Sequence, residues 1–393
     1  MVERDTLIKS RNSATESSLV LIRALAFMCD PAMASNEALM EKYLTGLAQY
    51  VRPFEDAARL FKSEIWTKRI VLPRFNVQRD GLVHKISDLV EDVLSKVKVN
   101  YVALPLGYFE LDRVANELVT CLSESKSLLC SVKLSELGVA LEPERAMSAA
   151  RLLKLIAETA GPLSCARFAF SCGDQLGTPY FPDTASDMTG FTLSMRYVRE
   201  VQEIFEKEKG RESEEIGLLL KRIEAEAIAA SKYSSLKYAG MDCSLSPWME
   251  ESTADLVSTL LNGEFGGPGT HHAVFLLNRA IRDASQGVTN RGFNEVMLPV
   301  GEDSTLKRLA LEGRITLSTL VSLISVCVVG LDMVALPLST DPKVLARVLH
   351  DIAAIVSSKG RTAGIRIILV DGKPGDEVEL GQFGKVPIMD ASR

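Results

Sequence analysis

Two aspartates stand where aspartate is costly. Asp242 and Asp332 each interrupt a run that otherwise reads as an apolar strand, Gly240-Met241-Asp242-Cys243-Ser244-Leu245 and Gly330-Leu331-Asp332-Met333-Val334-Ala335. A buried carboxylate without partners is strongly unfavourable, so each demands a cation, a metal or N–H donors. That demand fits acid/base work, and it fits equally a cap or salt bridge at a strand end. Glu295 is the third candidate for acid/base work, and Ser244 and Asn294, which neighbour these acids in sequence, are candidate ligand contacts. With Asp183, Glu302 and Asp303, the acids have the chemistry of an oxygen-rich Mg²⁺ or Mn²⁺ site, although spacing alone does not bring them together.

A second chemistry is anion binding. Gly266-Gly267-Pro268-Gly269-Thr270 opens a helical segment, and free N–H groups at such a start suit a phosphate or carboxylate, with Gly267, Gly269, Thr270 and His271 as contacts. No P-loop lysine follows, and a tight turn capped by Thr270 explains the same residues. His271 and His272 are adjacent, so on a helix they diverge by about 100° and do not readily share a ligand. The stretch Gly177-Thr178-Pro179-Tyr180-Phe181-Pro182-Asp183 is a stiff loop just past a strand ending at Cys172. Thr178, Tyr180 and Asp183 are placed to line a pocket there, unless the prolines only stiffen a surface turn. Seven cysteines without a C-x-x-C pair read as reduced thiols, and Cys172 and Cys243 have no histidine partner by spacing. Four scattered histidines give no zinc pattern.

The elements that must position these residues alternate. Residues 69–75, 100–106, 127–134, 166–172, 236–245, 295–300, 332–338 and 362–370 are rich in apolar and β-branched side chains and read as strands. Several are continuous apolar runs, as expected of strands covered on both faces, and helical spacing follows most of them. Ile216, Leu219, Leu220, Ile223 and Ala227 mark one helix face; Asp341-Pro342 begins a helix that Gly360 ends; Ser252 with Asp255 resembles a capping box. Residues 15–29 and 34–66 read as helical, the latter bent or divided at Pro53, and the charged stretch 199–214 reads as a solvated helix or a linker. Val-Ala-Leu-Pro-Leu occurs at 102–106 and again at 334–338, either because such residues are common or because two halves share one plan.

Length and composition bound the rest. A chain of 393 residues, 47% hydrophobic and 24% charged, buries a large core without disulfides or metals. A net charge of −6 argues against general nucleic-acid binding, since a surface that tracks phosphates is basic. Residues 1–11 lack the apolar core of a signal peptide, and the apolar stretch 316–338 is broken by polar residues, Gly330 and Pro337. No membrane span is expected, and the protein is expected to be cytoplasmic.

Taken in order, Gly240-Met241-Asp242-Cys243-Ser244-Leu245-Ser246-Pro247, Gly266-Gly267-Pro268-Gly269-Thr270, Leu298-Pro299-Val300-Gly301-Glu302-Asp303 and Gly330-Leu331-Asp332-Met333-Val334-Ala335-Leu336-Pro337 form a recognisable set. The set resembles an uncharacterised family, the domain of unknown function numbered seven-eleven, distantly related to pyruvate formate-lyase and anaerobic ribonucleotide reductase. The resemblance, which covers nearly the whole chain, implies an α/β fold: a ten-stranded α/β barrel of two five-stranded halves, with helices outside and a loop entering the interior. On this plan residues 1–66 form an N-terminal helical segment packed on the barrel, and residues 67–393 form the barrel, its halves at about 67–200 and 233–393. In the radical enzymes of that superfamily a backbone glycine carries an unpaired electron. Here Glu295 or Asn294 falls at that place, and Gly292 reaches it only by a register shift, so no glycyl radical is expected.

Two functions follow. The first is a non-radical enzyme, a lyase or transferase, acting on a small anionic metabolite through Asp242, Asp332 or Glu295. The second is a metabolite-binding or regulatory protein that retains the barrel without catalysis. A third reading is a structural subunit, for which the N-terminal helices provide the dimer or partner surface, and a homo-oligomer is expected.

Overall fold

The computed structural model describes residues 20–77, 79–326 and 329–392; residues 1–11, the start of the 15–29 stretch and Cys327 lie outside them. The chain opens on a strand, β1 (Leu21–Met28), where the sequence reads as helix. The reason is burial on both faces. Ile22, Leu25 and Phe27 pack into the main core, while Ala26 and Met28 face a second, smaller one, so the alternation that identifies a strand is lost.

After β1 the chain alternates: α1 (Glu37–Arg59), β2 (Ile65–Val71), α2 (Leu82–Leu94), β3 (Tyr101–Leu106), α3 (Leu111–Glu124), β4 (Leu128–Ser135), α4 (Pro143–Ala160), the single turn α5 (Pro162–Cys165) and β5 (Phe168–Cys172). Asn36 caps α1, which runs through Pro53 as one helix. Thus β1 and the start of β2, both within the first 66 residues, belong to the sheet and not to a helical cap.

The second half contains β6 (Gly190–Arg196), α6 (Val198–Lys207), α7 (Glu212–Ser234), β7 (Tyr238–Asp242), α8 (Thr253–Leu261) and α9 (Thr270–Ser285). There follow α10 (Ser304–Leu311), α11 (Leu317–Leu323), β8 (Gly330–Pro337), α12 (Pro342–Lys359), β9 (Ala363–Val370) and a small hairpin of β10 (Glu377–Glu379) and β11 (Lys385–Pro387). The charged stretch 199–214 divides between α6 and α7. Asp341 caps α12 through the Lys343 N–H, Pro342 is its first residue, and Gly360, at φ +70°, ends it.

Nine strands form one mixed sheet in the order β7-β6-β1-β2-β3-β4-β5-β9-β8. The five central strands, β1 to β5, are parallel; β6 joins β1 antiparallel, β9 joins β5 antiparallel, and β7 and β8 run parallel to their neighbours. Among the described residues the regular sheet thus has nine strands rather than ten. Residues 295–300, read as a strand, make only isolated contacts: Asn290, Val296 and Asp303 bridge Met241, Leu245 and Met249 in parallel register. Pro299 has no N–H to give a ladder, and a 3-10 turn, Val300–Glu302, follows it.

Helices cover one face of the sheet. The other face is lined by small side chains, Ala26, Ala103 and Ala169, with Val71 and Leu129. Into this space folds the loop from β5 to β6, residues 173–189, and its Phe181 completes the small core. Gly364 on β9 shows how close the loop lies: a Cβ there would sit 2.0 Å from Pro182 Cγ and 2.6 Å from Asp183 Oδ2.

Candidate functional site

The inner loop is held by side chains from several strands. Asp242, at the end of β7 and fully buried, accepts hydrogen bonds from Thr178 Oγ1 (2.6 Å), Ser244 N (3.0 Å), Ser244 Oγ (2.5 Å), Phe293 N (3.0 Å) and Asn294 N (3.1 Å). Burial pushes its pKa above the ordinary value, against the pull of these donors. Five donors fill the roughly four lone-pair sites of a carboxylate, leaving Asp242 no free edge for a reacting group. It clamps the loop. Gly292, at φ +79°, is required beside it, since a Cβ would lie 2.2 Å from Asp242 Oδ2. Elsewhere Tyr180 donates its hydroxyl to Met195 O (3.0 Å), Ser186 N donates to Leu72 O (3.0 Å) and Arg291 Nε donates to Gly177 O (3.1 Å).

Beneath the loop lies a group of arginines. Arg366 on β9 grips Asp332 on β8 with two N–H groups, at 2.5 and 2.8 Å, and reaches Glu302 Oε1 at 3.1 Å. Glu302 pairs in turn with Arg23 on β1, which donates also to Pro247 O at 3.0 Å. Burial pushes the Glu302 pKa up, but Arg23 and Arg366 outweigh it and hold the carboxyl below its ordinary value. Arg23 lies over the rings of Trp66 (5.4 Å) and Trp248 (5.7 Å), and Arg196, paired with Glu251 at 2.9 and 3.0 Å, also lies over Trp66, at 5.6 Å.

Arg69 on β2 differs from its neighbours. It donates from Nη1 to Pro179 O (3.0 Å) and from Nε to Thr67 Oγ1 (3.2 Å), and sits 5.9 Å from the Tyr101 ring. Among the described residues its Nη2 has no partner and no carboxylate pairs with it, while the three other arginines are paired with Glu302, Asp332 and Glu251. Burial and the nearby charge of Arg23 lower its pKa to about 10, so it remains cationic at neutral pH. It is half-buried.

Asp183 carries the opposite anomaly. It is fully buried, and among the described residues neither carboxylate oxygen has a hydrogen-bond partner. Desolvation raises its pKa to about 8, with the charge of Asp332 adding to the rise. The Ser171 hydroxyl lies beside it and moderates the rise without the geometry of a hydrogen bond, and that hydroxyl, the Ser194 hydroxyl and Gln175 Oε1 also lack partners among the described residues. Such orphaned atoms are rare in folded proteins.

The remaining candidates are placed elsewhere. Among the described residues no three His, Cys, Asp or Glu side chains group as metal ligands. The oxygen-rich site anticipated for Mg²⁺ or Mn²⁺ does not assemble among the described residues: apart from Asp183, its acids have separate partners. Asp303 caps α10 and accepts from Ser252 and Thr253; Glu295 pairs with Arg282 (3.1 Å) and Arg361; Asp332 and Glu302 are bound by arginines. Asn294, at φ +57°, accepts from Cys243 N at 3.0 Å and so shapes the turn around Asp242. The glycine-rich turn lies on the helical layer against Leu261 and Ile315. Gly267 and Gly269 are exposed, Gly269 at φ +96° is the cap of α9, and Thr270 turns its hydroxyl back to Gly267 O (2.8 Å). His271 is exposed, 3.3 Å from Ser322 Oγ. All six described cysteines are buried and unpaired, and burial pushes Cys172 up to about 12, far from a thiolate. Sequence reading missed Arg23, Arg69, Arg196 and Arg366, although an arginine inside an apolar strand carries the same signal as an aspartate there.

Comparison with known proteins places the whole chain. A family model described as "Uncharacterised ACR (DUF711)" matches residues 22–381. A UPF0210 protein of Methanopyrus kandleri is 28% identical over 430 aligned positions, spanning 100% of this chain and 94% of the relative. One of Halothermothrix orenii is 24% identical over 93% of this chain and 88% of its own length. One of Lacticaseibacillus casei is 37% identical over 155 positions, 38% of this chain and 34% of the relative.

Proposed function

This chain belongs to the uncharacterised DUF711 family, whose name carries no activity, and we propose that it binds a small anionic metabolite on the inner face of its sheet, seated on Arg69. The observation that carries this reading is that, among the described residues, no carboxylate pairs with Arg69, in a group where each other arginine has one. A guanidinium with a free N–H edge and an aromatic ring alongside is a ready acceptor of carboxylate or phosphate. The inner face is that of a ten-stranded barrel, closed between β7 and β8 by residues 290–303. The bridges from Met241, Leu245 and Met249, and the contact of Gly301 with Met333 on β8, support that closure.

Proton transfer falls to Asp183. Asp242, Asp332 and Glu295 are occupied by donors or arginines, whereas Asp183 is a neutral acid at physiological pH with both oxygens unengaged. The protein is then a non-radical lyase or transferase. The saturation of the three other acids favours a second reading, a metabolite-binding protein without turnover. Mass spectrometry of small molecules released from the natively purified protein tests the proposal. A small acid should accompany the wild type and be lost from Arg69→Met; identical extracts from the two would refute it.

A further inference from the structure

Five of the six buried side-chain atoms without a partner among the described residues, those of Ser171, Gln175, Asp183 and Ser194, belong to the inner loop or to inward positions of β5 and β6; the Tyr238 hydroxyl is the sixth. Three of the five are carboxylate or amide oxygens, which accept hydrogen bonds, so what is missing there is a donor. Both Asp183 oxygens are open among the described residues, and the carboxyl that burial keeps neutral ionises, releasing its proton to solvent, when a cation comes against it. Arg69, by contrast, lacks an anion.

The two opposite deficits are linked through one loop. Arg69 holds the carbonyl of Pro179, Phe181 packs under the Arg366 guanidinium at 5.5 Å, and Asp183 leans on Gly364 beside Ser171, which pairs with Gly364 across β5 and β9. From this arrangement we infer that the ligand is an amino acid, its carboxylate on Arg69 and its ammonium group on Asp183. The inference rests on the anion-binding reading and narrows it to a substrate class. Because Asp183 is enclosed, the ammonium reaches it only as the loop shifts. The loop's anchors to the strands are separate hydrogen bonds and not a ladder, so a shift of the loop breaks no strand pairing.

Matched pairs of ligands decide it. Calorimetric titration of the full chain with glycine, β-alanine, γ-aminobutyrate and δ-aminovalerate, each beside the same acid without its amine, scans the spacing between the two charges. At the best spacing the amino acid should bind about tenfold or more tighter than its deaminated partner, the gain expected of one charge-assisted hydrogen bond. Asp183→Asn should abolish that difference while leaving the deaminated acid's affinity unchanged, and Arg69→Met should remove both. Equal affinity within every pair, or a difference that survives Asp183→Asn, overturns the amino-acid assignment and leaves anion binding standing. No binding by any of the eight acids overturns the assignment together with Arg69's proposed role for carboxylates. If Asp183→Asn does not fold, the wild-type pairs still decide.

Discussion

At the scale of the residue, the informative groups are those whose charge is not matched. Asp183 keeps its proton when folded up to about pH 8, whereas an unfolded chain gives it up near 4, so the folded state holds more protons between these values. Stability from this group is therefore full below about pH 4, falls as pH rises to about 8, and is level beyond. Asp183→Asn cannot ionise and should escape the decline. Melting temperatures of the two proteins should agree below about pH 4, draw apart as pH rises to about 8 and stay apart beyond it, with the variant then more stable by on the order of a few kcal/mol; parallel curves would contradict the assignment of a neutral acid. Glu302 is the converse case. Replacing it by Gln leaves Arg23 uncompensated and weakens the support of Arg366, a loss of about 3–5 kcal/mol for a broken buried pair, readable as a lowered urea midpoint. An unchanged midpoint would mean that water, not Glu302, balances these arginines. Asp183 was visible in the sequence as a polar residue in a stiff loop. The isolation of Arg69 was not, because it depends on which carboxylates the fold delivers to Arg23, Arg196 and Arg366 from distant strands.

At the scale of the element, local signals were legible and two-faced burial was not. The caps Asp341-Pro342 and Ser252 lie next to the helices they start, so neighbouring residues suffice to read them. β1 reads as helix because both of its faces are apolar. β6 alternates Phe191, Leu193 and Met195 with Thr192, Ser194 and Arg196, a period of two that marks a strand in the sequence itself. The loop between β5 and β6 depends on Gly364 for its seat. Gly364→Ala puts a methyl group into Pro182 and should dislodge the loop while the strands persist. Limited proteolysis should then cut within residues 174–188 faster than in the wild type, with unchanged circular dichroism. Equal cleavage rates would show that the loop seats without the glycine.

At the scale of the molecule, the parallel strands β1 to β5 and their flanking antiparallel pairs present one small-residue face, and the chain fills it with a loop and arginines. The α/β class was legible from alternation alone, and the family from the order of four short motifs. The tenth strand was expected and the regular sheet lacks it, since Pro299 and the turn after it leave residues 295–300 with isolated bridges. Both tryptophans of the chain, Trp66 and Trp248, lie against Arg23 in this arginine group, so their fluorescence reports on it. The most direct test is a fluorescence titration of wild type and Arg69→Met with small carboxylates and with inorganic phosphate. A saturable change should appear in the wild type with at least one of them and be weakened a hundredfold or so in the variant, as expected for removal of a charged hydrogen-bonding partner. Equal binding by the two proteins would place the anion elsewhere and contradict the account.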